Sequence, residues 1–93
     1  MIRSFSDEAT KDIFEGNIPR GFSAAVLSAT RRKLRYLDSA TLLTDLKVPP
    51  GNKLHPLTHD RTGQHAIWIN DRYRLCFRWA QDGVYDVEIV DYH

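Results

Sequence analysis

Ninety-three residues, 42% of them apolar and 27% charged, suffice for one hydrophobic core and are too few for two. That composition excludes a disordered chain, no apolar run approaches the roughly 20 residues of a membrane span, and Met1-Ile2-Arg3-Ser4-Phe5 lacks the long apolar stretch of a signal peptide. A single cytoplasmic domain over residues 1–93 is therefore expected.

The net charge of +1, from 13 basic and 12 acidic residues, says nothing about polyanions by itself, but its distribution does. Between Arg20 and Leu37 lie Arg20, Arg31, Arg32, Lys33 and Arg35 with no acid, whereas Asp82, Asp86, Glu88 and Asp91 make the last stretch acidic. A separated basic zone can bind a polyanion even in a near-neutral protein. A solvated helix face gives the same pattern.

Along the chain, Ile2 to Phe5 reads as an edge strand. Ser6 is a plausible N-cap for a helix through about Glu15, with Asp7 and Glu8 favoured in its first turn, Ile13 and Phe14 supplying the buried face, and Gly16 ending it. After a loop, Ser23 caps the clearest helix, Ala24 to Leu37. There Leu27, Leu34 and Leu37, with Val26 and Tyr36, form an apolar stripe, and Arg31, Arg32 and Arg35 fall mostly on the opposite side. Asp38-Ser39 reads as a break before a short third helix, Thr41 to Leu46, with Leu42, Leu43 and Leu46 inward. Pro49-Pro50-Gly51 stops it.

The period then changes to that of strands. Lys53 to Leu57 is extended and confined to an edge by Pro56, and Asp60-Arg61-Thr62-Gly63 is a turn. Gln64 to Asn70 alternates, with His65, Ile67 and Ile69 on one side and Trp68 on the other. Tyr73 to Trp79 alternates more strongly, with Arg74 and Arg78 pointing away from the apolar side. Gln81-Asp82-Gly83 turns the chain into a last strand, Val84 to Val90, where Asp91 shares the parity of Ile89 and Val87. Helices grouped before an antiparallel meander imply an α+β domain, two or three helices packed on one face of a small twisted sheet.

The lone cysteine, Cys76, reads as a buried structural thiol, and the four histidines lack the spacing of a metal site. His65 reads as structural. Trp68, Tyr73, Phe77 and Trp79 read as core or partner-facing surface rather than as base-stacking platforms. The chain also carries Lys53-Leu54-His55-Pro56-Leu57, then Asn70-Asp71-Arg72-Tyr73-Arg74-Leu75-Cys76-Phe77, and a terminal Asp91-Tyr92-His93. With Ile2-Arg3-Ser4-Phe5 in front, these segments in this order resemble the HigB-type toxins of the killer-protein branch of the RelE superfamily, over essentially the whole chain.

The resemblance implies a RelE-like fold and the toxin of a type II toxin–antitoxin system. It further implies a ribosome-dependent endoribonuclease that cuts messenger RNA in the decoding site without metal or other cofactor. A cognate HigA-type helix-turn-helix antitoxin would neutralise it, and operator DNA would be met only through that antitoxin. Carried over residue by residue, the catalytic positions are His55, Arg74, Asp91, Tyr92 and His93. Two positions depart from the family pattern: a common basic residue is here Thr58, and a frequent arginine is here Trp68, with His59, Arg61 and Arg72 near enough to compensate. Lys53, Arg31, Arg32, Lys33, Arg35, Arg61, Arg72 and Arg78 are the candidates for RNA or ribosome contact. The rival classes are a non-catalytic ribosome- or protein-binding module and a DNA-associated co-repressor.

RNA carries its own nucleophile, the ribose 2′-hydroxyl. Cleavage therefore needs a base for its proton, an acid for the departing 5′-oxygen and positive charge for the phosphorane-like transition state. His55 and His93 are the expected proton-transfer pair and Arg74 the charge. Asp91 is expected to orient His93 or Arg74, and Tyr92 to stack on a base or hydrogen-bond phosphate. The Asp-Tyr-His end is expected in a concave, cation-rich cleft beside Lys53 and His55.

Overall fold

A computed structural model describes residues 1–92. Two helices, α1 (Glu8–Phe14) and α2 (Ala24–Ser39), precede four strands: β1 (His55–Pro56), β2 (His65–Trp68), β3 (Tyr73–Ala80) and β4 (Gly83–Asp91). The strands form one antiparallel sheet in the order β1-β2-β3-β4. As expected, this is an α+β fold with both helices on one sheet face. Ile13, Leu27, Leu34, Leu37 and Leu46 meet Ile67, Leu75, Phe77, Val84 and Val87 in one core, nearly all wholly shielded from solvent. Among the described residues, no helix is long and apolar enough to cross a membrane.

The helix ends follow local chemistry. Asp7, not Ser6, is the N-cap of α1, its Oδ1 accepting from the Thr10 N–H at 2.9 Å. Ser23 caps α2 as expected, accepting from the Val26 N–H at 3.2 Å. That helix runs through Asp38-Ser39 instead of breaking there. Asp38 Oδ1 accepts from the Ile2 N–H at 2.9 Å and the Ser39 hydroxyl donates back to the Arg35 carbonyl at 2.9 Å, so neither side chain is free to cap a new helix. The third helix is a 3-10 segment, Leu43–Lys47, with Leu46 buried and Leu42 exposed. Asp45 folds back onto the Thr41 and Leu42 N–H groups, which turns Leu42 outward. Phe14, expected inside, is 37% exposed.

The opening segment pairs in parallel with the outer edge of β4, through bridges Ile2 to Val84 and Phe5 to Val87. Beyond it, Thr10 Oγ1 of α1 accepts from the Ile89 N–H at 2.9 Å, so the edge continues to be covered where the segment leaves it. The other edge, β1, is two residues long and contains Pro56. Between β3 and β4 the register shifts by one residue. Arg78 pairs with Tyr85 but Cys76 pairs with Glu88, and Asp86 absorbs the extra position at φ 56°. Ser4 steadies this bulge, its hydroxyl accepting from the Asp86 N–H at 2.9 Å.

Candidate active site on the open sheet face

The face of the sheet opposite the helices carries the candidate chemistry. Cross-strand pairing lines up His55 on β1, Ala66 on β2, Cys76 on β3 and Glu88 on β4 in one row. A second row, nearer the β2–β3 turn, holds Trp68, Arg74 and Val90. Ala66 contributes only a methyl, so the floor between His55 and Cys76 stays low. An open cleft of about 450 Å³ runs from His55 past Thr58 and His59 to Arg61, with Tyr92 on its other side.

His55 is half-buried, and its Nδ1 lies 2.8 Å from the Lys53 carbonyl oxygen. A carbonyl only accepts, so Nδ1 carries the hydrogen and Nε2 holds the lone pair of the neutral ring. Lys53 itself sits at φ 49°, the residue that ends the 3-10 turn Pro50–Asn52 and starts the extended run into β1. Arg61 ends the short turn His59–Arg61 and reaches across the cleft to Glu88 at 2.7 Å, with a second bond to Gln64 at 3.1 Å. That ion pair, the Glu88 hydrogen bond first, raises the Arg61 pKa further.

Beneath Tyr92 lies Cys76, wholly buried as expected of a structural thiol. Burial, ahead of any neighbouring charge, pushes the pKa values of the Cys76 thiol and the Tyr92 hydroxyl up, so both groups stay protonated at neutral pH. Arg74 was expected to point away from the apolar side. It does leave the core side, but it is only 8% exposed, because the open face closes over it. Its Nη1 donates to the carbonyls of Asn70 (2.6 Å), Tyr73 (3.1 Å) and Asp71 (3.2 Å), and its Cζ lies 3.6 Å from the Trp68 ring centroid and 5.5 Å from that of Tyr92. Nε and Nη2 have no protein acceptor among the described residues and remain available to an anion.

Other candidate residues lie elsewhere. Asp91 accepts three hydrogen bonds from Arg72, from Nε at 3.0 and 3.1 Å and from Nη2 at 2.7 Å. Its register partner is Tyr73, on the core-side parity. Arg78 pairs with Asp86 at 3.3 Å, four residues along β3 and so about 13 Å from Arg74. Lys33 is a correction to the basic-zone reading. It is 5% exposed, its ammonium is hydrogen-bonded to the Asn52 side chain, and burial lowers its pKa, so it joins α2 to the turn at Pro50–Asn52 and reaches no phosphate. Arg31 is tied to the Ile13 and Asn17 carbonyls at the end of α1. Arg32 and Arg35 are exposed, on the helix layer and not on the cleft side. His93 lies outside the described residues.

Glu88, the ion-pair partner of the cleft residue Arg61, is a residue that sequence reasoning did not single out. The signal was present: Val84, Val87 and Ile89 change parity partway along β4, which only a bulge reconciles with one buried face.

Residues 3–93 match the family model described as the RelE-like toxin of type II toxin–antitoxin system HigB. The chain is similar to Toxin HigB-1 of Vibrio cholerae serotype O1, at 35% identity over 85 residues, 90% of this chain and 88% of that protein. It is also similar to Endoribonuclease HigB of Proteus vulgaris, at 31% identity over 93 residues and the full length of both. Matched end to end by a family model whose RelE-like fold it also adopts, the chain belongs to the HigB-like toxins of type II toxin–antitoxin systems.

Proposed function

We propose that this toxin is an endoribonuclease that cuts ribosome-bound messenger RNA by attack of the ribose 2′-hydroxyl on the adjacent phosphate. The observation that carries the reading is the tautomer of His55. With Nδ1 donating to the Lys53 carbonyl, Nε2 presents a lone pair at a cleft whose far side leads through Tyr92 to Arg74. The Proteus relative's name supports the same class of reaction.

His55 takes the proton of the 2′-hydroxyl. As the new oxygen–phosphorus bond forms, Arg74 Nε and Nη2 donate to the nonbridging oxygens, where charge builds up. The bond to the 5′-oxygen breaks and His93 supplies its proton. The products are a 2′,3′-cyclic phosphate and a free 5′-hydroxyl. Tyr92, protonated and 40% exposed, donates to phosphate or packs on a base. Asp91 holds Arg72 at the end of the sheet and so fixes the strand that leads into the terminal residues. These groups supply the acid, the base and the charge, so no metal is required. Lys53 and Arg61 extend the cation set along the cleft, and Arg32 and Arg35 contact ribosomal RNA from the helix layer. A HigA-type helix-turn-helix antitoxin neutralises the protein and alone brings it to operator DNA.

The test is to incubate the purified chain with programmed ribosomes and a chelator, then map 5′ ends. Cuts bearing 5′-hydroxyls that need ribosomes and persist without metal are expected. Intact message would instead place the protein among non-catalytic binding modules or co-repressors.

A further inference from the structure

Trp68 has no part in the reaction just described, yet it sits between two cations of the open face. Lys53 Nζ lies 3.8 Å from the centre of its ring and Arg74 Cζ lies 3.6 Å from the same centre. The two charges are thus no more than roughly 7 Å apart, inside the Debye length of about 8 Å at physiological ionic strength, so salt screens their repulsion only in part. Among the described residues no carboxylate pairs with either, and Arg74 donates only to main-chain carbonyls. The electron-rich indole, within the roughly 6 Å range of a cation–π contact to both, is the group that offsets the repulsion.

The consequence is a pair of positive charges held close together with no anion paired to them among the described residues. Other cations of the sheet are already matched: Arg61 by Glu88 at 2.7 Å and Arg72, at the sheet's end, by Asp91 at 2.7 Å. Arg74 is anchored only at Nη1, by the carbonyls of Asn70 and Asp71 in the β2–β3 turn and of Tyr73 at the start of β3. Lys53 is the mobile partner. It is exposed at the end of a 3-10 turn, and the indole gives its flexible side chain a place to rest beside Arg74. With a cation against it on each count, the ring is poorly placed to stack on a base. Its effect is on the cations.

We propose that Trp68 is a positioning residue that holds Lys53 and Arg74 together as a two-charge clamp for the RNA backbone at the edge of the cleft. The clamp rests on the nuclease reading above and deepens it. Trp68 adds no charge and touches no reacting atom. It sets where two charges stand when the phosphodiester arrives, and loss of that order slows the step that Arg74 stabilises.

Two substitutions separate the ring's electrostatics from its bulk: Trp68→Leu keeps apolar volume without the π face, and Trp68→Phe keeps a weaker face. In the free protein, the Lys53 methylene and Arg74 side-chain NMR resonances should be shifted upfield by the indole ring current in the wild type. In Trp68→Leu they should return to ordinary positions while the rest of the folded spectrum persists. Single-turnover cleavage of ribosome-bound message should fall about 10- to 100-fold in Trp68→Leu, as expected for misplacement of a stabilising group, and recover largely in Trp68→Phe. In an Arg74→Ala background, Trp68→Leu should slow cleavage little further.

An active wild type whose Trp68→Leu variant cleaves equally fast would overturn the clamp alone. So would a Trp68→Leu loss that is undiminished in the Arg74→Ala background, or unshifted resonances in the wild type. A wild type that leaves ribosome-bound message intact would overturn the nuclease reading itself. Trp68→Phe keeps the test informative where Trp68→Leu fails to fold, because a folded Phe variant still predicts an intermediate rate and intermediate ring-current shifts.

Discussion

The two faces of one strand are both buried here, by opposite means. On the core side of β3, Leu75 and Phe77 are covered mainly by apolar helix side chains. On the other side, Arg74 and Cys76 are equally hidden, but under Tyr92, Trp68 and the Arg61–Glu88 pair, all polar or polarisable. The first arrangement gives stability and no reactivity. The second keeps a guanidinium only 8% exposed, where its field is less screened by water than on an open surface. Burial marks the core on one face and the site on the other.

The division can be broken first at the cleft. His55→Gln keeps a hydrogen-bonding side chain but removes proton transfer, so single-turnover cleavage should drop about 10²–10⁴-fold with the melting temperature nearly unchanged. Equal rates for the variant and the wild type would make His55 a mere lining residue. Phe77→Ala attacks the other face and should destabilise the fold by about 3–5 kcal/mol in denaturant titration. Below its unfolding midpoint, that variant should retain the wild-type cleavage rate per folded molecule.

A smaller effect sharpens the comparison at His65, which lies between the two regimes. It stacks on Phe77 at 6.3 Å, its Nδ1 is buried with no partner among the described residues, and burial first, then His55, lowers its pKa below 6.5. The unfolded chain therefore binds a proton there before the folded one does. The neutral ring's contribution is complete above pH 6.5, and stability should fall as the pH drops through that value. His65→Leu should flatten the dependence of the denaturation midpoint on pH between 7.5 and 5.5. An unchanged slope would place the titration elsewhere.

How far all this could be read in advance differs between the faces. Ser23, the leucine stripe of α2 and the alternation of β3 are local signals, and the core followed from them. His55, Tyr92 and Arg74 were legible through their segments, but their surroundings were not. The bulge at Asp86 moves Glu88 opposite Cys76, where regular pairing would have set it against Leu75 on the core side. The burial of Arg74 depends on Trp68 and Tyr92, which alternation alone does not bring together. Lys33 was misread because its partner, Asn52, arrives from a turn beyond two prolines, Pro49 and Pro50. A basic run on a helix gives no hint of which member faces inward.

The central claim is that chemistry belongs to the open sheet face and not to the basic helix. Its most direct test is single-turnover cleavage of ribosome-bound message at saturating toxin, comparing Arg74→Ala with the double charge reversal Arg32→Glu and Arg35→Glu. Arg74→Ala should lower the saturated rate about 10²–10³-fold, the usual effect of removing a donor to developing charge. The helix variant should need more protein to saturate and then reach the wild-type rate. A saturated rate that collapses in the helix variant and survives in Arg74→Ala would contradict the account.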